Sequence, residues 1–210
     1  MRIVEPSFEI LTDLNGPAIL KRIEAAGRTC YKSEEKISEM SAEKFVRMIL
    51  KRGHETVIEH EWASVRIVCS RGMSHEIVRH RLASYSQEST RYCNYGKDKF
   101  GSELSLTPMM DGLTEPQVER RLRFYQLCEE LYLQELEEGI SPQQARDNLL
   151  ICLKTEIVMT CNLRQWRHFF NLRTPKAAHP QLRQVTRPML VEFRKRIPII
   201  FDDIGTVDGN

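Results

Sequence analysis

The chain has 210 residues, enough for one ordinary domain with a sizeable core. Its 31 Lys and Arg stand against 29 Asp and Glu, a formal charge of +2, which argues against a polyanion-binding surface and hence against a nucleic-acid partner. Six Cys form no Cys-x-x-Cys pair, the N-terminus has no apolar signal core and no run approaches membrane-spanning length, so a cytoplasmic protein with reduced thiols and no membrane partner is expected.

In chain order, Met1–Leu11 alternates loosely and reads as an opening strand. A helix is expected from Ser41, with Phe45, Ile49 and Leu50 at helical spacing and Gly53 to close it. Ala63, Val65, Ile67 and Cys69 alternate with Ser64, Arg66, Val68 and Ser70, the pattern of a half-buried strand. Ser74 then opens a short helix carrying His75–Arg81, and Asp98–Gly112, with its Gly and Pro, is the long loop.

Thr114-Glu-Pro-Gln117 is a capping-box pattern with Pro in the first turn. It predicts a long amphipathic helix with Val118, Leu122, Tyr125, Cys128 and Tyr132 on one face, ended by Gly139. Ser141-Pro-Gln-Gln144 repeats the device for a helix to about Leu150. Thr155–Asn162 is β-rich, Leu163–Leu172 is helical, and His179–Arg196 makes a final helix before Pro198. The expected fold is α+β: a single domain over 1–210, with a mixed or antiparallel sheet flanked by several helices. No Gly-x-Gly-x-x-Gly follows a strand, so the fold is not expected to be Rossmann.

A metal site is tested first. The zinc-protease pattern needs two His four apart on one helix face, but His75 and His80 are five apart and His54 and His60 are six apart. A five-residue step turns a helical side chain about 140° away, so no metal is expected.

Residues 79 to 92 read Arg-His-Arg-Leu-Ala-Ser-Tyr-Ser-Gln-Glu-Ser-Thr-Arg-Tyr. Arg79, Arg81 and Arg91 are planar forks that match phosphate oxygens in pairs, and Ser84, Ser86, Ser89 and Thr90 add hydroxyls, so a small phosphorylated ligand is the natural guest. The plain alternative is a solvated basic helix face. A helix would spread Arg79, His80 and Arg81 around its girth, which suits a segment reaching two ligands, or ligands in neighbouring subunits.

Arg-His-Arg, seven residues, then Ser89 and Arg91-Tyr92, resembles the signature of the flavin-dependent thymidylate synthases. Three further stretches fit in order: Gly53-His54-Glu55-Thr56, Pro142-Gln-Gln-Ala145-Arg146, and Asn162-Leu163-Arg164 with His168 and Asn171-Leu172-Arg173. The resemblance runs from about residue 53 to 190. It implies reductive methylation of dUMP to dTMP, with methylenetetrahydrofolate as carbon donor, FAD as cofactor and NADPH as reductant, in a homotetramer that clasps FAD between subunits. The folate-only thymidylate synthases use a nucleophilic Cys in a Pro-Cys-His context, which none of the six Cys here has.

Position by position, the resemblance places Thr56, Arg79, His80, Arg81, Gln87, Asn162, Leu163, Arg164 and His168 at the flavin. It places Glu76, Arg79, Gln87, Glu88, Ser89, Thr90, Arg91, Arg146 and Arg173 at dUMP, and makes Arg173 the catalytic residue that favours loss of the uracil imide proton. Two positions depart from the pattern. Glu76 stands where many relatives have Gln; a carboxylate repels phosphate, so either it accepts the ribose hydroxyl or the phosphate lies elsewhere. Ser86-Gln87 replaces an Asn-Glu pair. The competing classes are a non-catalytic nucleotide- or RNA-binding module and a flavin reductase of another substrate. Few aromatics near Arg79–Arg91 weigh against the RNA reading.

Overall fold

The computed structural model describes residues 1–97 and 100–205. Along them run β1 (Arg2–Ile3), β2 (Ser7–Ile10), α1 (Gly16–Tyr31), α2 (Ser41–Lys51), β3 (Trp62–Ser70), α3 (Arg71–Ile77) and β4 (Ser84–Gln87). Then follow β5 (Ser105–Leu106), α4 (Glu115–Glu137), α5 (Pro142–Ala145), β6 (Lys154–Asn162), α6 (Leu163–Arg173) and α7 (Pro180–Arg196). The fold is α+β, with an antiparallel sheet ordered β2-β3-β6-β4 and a separate parallel pair β1-β5, and it is not Rossmann. Among the described residues no helix is long and apolar enough to cross a membrane. The chain forms two units: Met1–Ser7, Ile67–Arg79 and Ser86–Ile157 make the first, while Phe8–Arg66, His80–Tyr85 and the chain from Val158 onward make the second.

The first unit is built on α4. The Thr114 N–H donates to the Gln117 side chain at 2.8 Å, Pro116 sits in the first turn, and Gly139 takes a φ of +88° just past the end. Tyr125 and Tyr132 pack with Tyr95, Leu104, Leu106 and Leu153 in one cluster. Glu129 shares that buried face, which an apolar pattern does not anticipate; its carboxylate accepts the Leu104 N–H at 2.6 Å.

Several boundaries differ from the sequence reading. The segment 1–11 holds two strands, and Arg2 of β1 pairs in parallel with Ser105, inside the expected loop. Two-residue strands are too short to carry a periodic signal. Asp98 and Lys99 of that loop lie outside the described residues. Helix α3 starts at Arg71, not Ser74, because the Ser70 hydroxyl accepts the Met73 N–H at 3.2 Å. It stops at Ile77, so Arg79, His80 and Arg81 are not helical and are not spread around a helix. After Ser141 only four residues are α-helical; a 3₁₀ turn over Arg146–Asn148 follows, and Leu149 is extended.

The second unit contains a helix that the sequence reading missed, α1. The Asn15 side chain accepts the Ala18 N–H at 3.1 Å, Pro17 lies in the first turn, and Ile19, Leu20 and Ile23 are buried. A methyl at Gly27 would meet the Phe45 ring at 2.6 Å, so glycine lets α1 and α2 approach closely. Trp166, Phe169 and Phe170 of α6 pack with Phe193 of α7 and with Phe201, at centroid separations of 5.2 to 5.8 Å. Strand β3 alternates as expected, with Ala63, Val65, Ile67 and Cys69 inside.

Candidate functional site

In the second unit, β6 runs directly into α6 at Asn162. The Asn162 side chain accepts the Gln165 N–H at 2.8 Å and starts the helix. Helical spacing then sets Arg164, His168 and Asn171 on one face. With Asn162 and Gln165, these residues line a cavity of about 810 Å³ that is also bounded by Trp62, Arg81, Leu82, Ala83 and Ser84. Trp62 and Leu82 are exposed and bring apolar surface to its lining.

The charges of this cavity are mixed. The Arg164 guanidinium meets Glu59 at 2.6 Å and Glu55 at 3.5 Å, and both carboxylates line the same space. Arg167, one helical turn on, points inward and forms a double hydrogen bond with Asp203 at 2.7 and 2.8 Å. Burial opposes the charge of Arg167, but Asp203 and Glu55 outweigh it and its pKa moves up; the Arg167 hydrogen bonds hold the Asp203 carboxyl below its ordinary range.

Of the expected flavin residues, Arg81, Asn162, Arg164 and His168 line the cavity. Thr56 is exposed on the 3₁₀ turn Glu55–His60, whose Glu55 and Glu59 line the cavity while Thr56 does not. Leu163 is fully buried and its N–H donates to the Glu61 carbonyl, so its side chain belongs to the core. His80 is also buried: Arg173 donates from Nε to its Nε2 at 3.0 Å, and Gln165 meets its Nδ1 at 3.4 Å.

The first unit holds the remaining expected residues. Arg91 adjoins α5 through a 2.9 Å bond from its Nε to Gln143, three positions before Arg146, and both arginines are exposed, while the Ser89 hydroxyl accepts the Arg91 N–H at 3.3 Å. Arg79 is exposed just past α3, Glu76 is half-buried on that helix, and Thr90 is buried. Gln87 donates to Ser74 at 2.8 Å and Thr155 at 3.2 Å, bracing the sheet. Glu88 accepts from Tyr95 at 2.8 Å and from Lys154 at 3.1 Å. Burial would lower the Lys154 ammonium, yet Glu156 and Glu88 outweigh it and its pKa rises, while burial and then Glu88 push the Tyr95 phenol up. Gln87 and Glu88 are thus committed to protein contacts.

The family described as thymidylate synthase complementing protein matches residues 11–199. The flavin-dependent thymidylate synthase of Pyrococcus furiosus is 35% identical over 182 residues, covering 86% of this chain and 72% of the relative. The chain belongs to the flavin-dependent thymidylate synthase family. The synthase of the same name from Geobacter sulfurreducens is 34% identical over 187 residues, covering 86% of this chain and 79% of its own. Among solved structures, the UMP/dUMP methylase PolB from Streptomyces cacaoi bound with 5-Br dUMP shares the fold, with a TM-score of 0.76 at 21% identity over 96% of this chain and 95% of that one.

For a member of the flavin-dependent thymidylate synthase family, the sequence reading omitted two cavity residues with a readable signal. Gln165 lies three positions after an Asn that ends a strand, where a side chain adjoins the N-cap. Trp62 is a large aromatic at the first position of a strand, out of phase with the buried alternation.

Proposed function

We propose that this protein methylates dUMP to dTMP reductively, with FAD as redox cofactor, methylenetetrahydrofolate as carbon donor and NADPH as reductant. It does so as a cytoplasmic homotetramer in which the whole of 1–210 serves as one catalytic domain. The observation that carries the reading is the 810 Å³ cavity, whose wall includes Arg81, Asn162, Arg164 and His168, four residues that the family signature assigns to the flavin.

The donor set suits that cofactor. Trp62, Leu82 and Ala83 offer apolar surface for a planar ring, and Asn162, Gln165, His168 and Asn171 offer hydrogen bonds at its polar edge. Arg81 and Arg164 supply cations for a pyrophosphate. The bound flavin supplies the two-electron reduction that amino-acid side chains cannot provide.

Arg79, Ser89, Arg91 and Arg146 are assigned to the nucleotide phosphate. Glu76, Gln87, Glu88 and Thr90 are assigned to the rest of dUMP, where the Gln87 and Glu88 side chains must exchange part of their present protein contacts for the nucleotide. Arg173 holds the uracil edge, where a guanidinium within about 4–6 Å favours loss of a proton by about 1–3 pKa units. That loss makes the ring a better nucleophile.

The test is a flavin titration of the purified protein, followed by absorption and fluorescence, with and without dUMP. Saturable FAD binding that dUMP perturbs is expected. A protein that binds dUMP but no flavin belongs to the nucleotide-module class instead.

A further inference from the structure

The geometry points to His80 as the residue that orients Arg173; the inference rests on the role proposed above for Arg173. His80 is only 4% exposed, although Arg79 and Arg81 on either side are exposed. The Arg173 Nε–H meets its Nε2 at 3.0 Å. A guanidinium N–H stays protonated and only donates, so Nε2 must hold a lone pair. The ring is therefore neutral, with its proton on Nδ1, the less usual arrangement that a specific partner has to impose.

Gln165 is that partner's complement. The Gln165 amide nitrogen stands 3.4 Å from Nδ1; a neutral ring cannot accept at both nitrogens, so with its Nε2 accepting from Arg173 the amide must turn and present its carbonyl oxygen to the Nδ1 proton. The ring is further held edge-on by Phe169 at 4.9 Å and His168 at 5.6 Å, and the Tyr85 hydroxyl donates to the His80 carbonyl at 2.7 Å. Gln165 is itself fixed by Asn162 through its backbone N–H at 2.8 Å. A continuous run of hydrogen bonds thus links the cavity wall at Asn162, through Gln165 and His80, to Arg173. Because the guanidinium is planar, a bond at Nε to a clamped ring sets the plane of the whole fork. His80 is a positioning residue that acts through Arg173.

Two measurements on the FAD-loaded protein test this. The first is ¹⁵N NMR of the imidazoles at neutral pH, with the His80 signals identified by their loss in His80→Gln. The expected result is an unprotonated Nε2 and a protonated Nδ1, with the Nε2 signal altered by Arg173→Ala. A protonated Nε2, or a signal indifferent to Arg173→Ala, overturns the inference, and neither outcome depends on the reaction proposed.

The second compares single-turnover dTMP formation. His80→Leu should slow it about ten- to a hundredfold, as expected for losing a hydrogen bond to a charged group. His80→Gln keeps an acceptor within reach of Arg173 and should recover to within about threefold. His80→Leu should cost nothing more in an Arg173→Ala background. Losses that add overturn the positioning role. If the wild-type protein forms no dTMP, the functional reading falls while the NMR result still decides the His80–Arg173 contact; the same holds if His80→Leu does not fold.

Discussion

The indole N–H of Trp166 donates to the carbonyl of Ala63 at 3.0 Å, between two residues that are fully buried. This bond ties α6, which carries Arg164, His168 and Arg173, to the beginning of β3 beside Trp62. Trp166→Phe keeps an aromatic ring but leaves the Ala63 carbonyl without its donor. The expected loss is about 1–3 kcal/mol for the unmade bond, with a cavity contribution added. Urea denaturation should show a lower midpoint at unchanged m-value.

Gly27 offers the opposite case. In an exposed helix, Gly→Ala gains up to about 1 kcal/mol. Here the new methyl would meet the Phe45 ring at 2.6 Å, and Phe45 is itself buried. Gly27→Ala should therefore destabilise by about 1–3 kcal/mol, the usual range for overpacking, while Gly27→Ala combined with Phe45→Leu should recover part of the loss. Thermal unfolding of the two variants checks both signs.

Asp203 should contribute an acid-sensitive share of stability. Its hydrogen bonds from Arg167 lower its folded-state pKa, so the contribution is complete above the ordinary carboxylate value of about 4 and fades as pH falls through the lower folded value. Asp203→Asn should lower stability at neutral pH and flatten the acid limb of the stability profile. Because the Asp203 side chain is 67% exposed, solvent screening keeps the effect modest and high salt should reduce it.

These contacts mark how far the sequence could be read. Helix α4 was legible because a capping signal at Thr114 precedes a local periodic pattern, and α6 because its own residues carry a helical pattern. Helix α1 was not, because Glu24 and Gly27 interrupt its buried face; Glu24 is buried through bonds to Arg28 at 2.8 Å and Ser41 at 2.8 Å that no local pattern reveals. The site divides the same way. Arg81, Asn162, Arg164 and His168 belong to short motifs and do line one cavity, whereas the buried ring of His80 meets Arg173, 93 residues away, and Phe169, contacts that no local pattern reveals. The bonds from Gln87 to Thr155 and between Glu88 and Lys154 were not legible either, because those partners lie on a strand more than sixty residues on.

Arg164 and Glu59 should set the preference for an anionic flavin. Their 2.6 Å pair must compete with a bound pyrophosphate. Arg164→Gln should weaken FAD several-fold while leaving riboflavin, which has no phosphate, nearly unchanged. Glu59→Gln should strengthen FAD by about two- to fivefold, and the difference should shrink at high salt because the pair is partly exposed. Fluorescence titration with the two flavins reads both effects.

The most direct measurement is anaerobic single-turnover reoxidation of the reduced, FAD-loaded protein with dUMP and methylenetetrahydrofolate, with dTMP quantified against oxidised flavin. The wild type should form dTMP in proportion to flavin oxidised. Arg173→Lys should show a loss approaching that of Arg173→Ala, about ten- to a hundredfold, because an ammonium cannot present a paired planar fork. Flavin oxidised without dTMP by the wild type, or near-normal dTMP formation by Arg173→Ala, would contradict it.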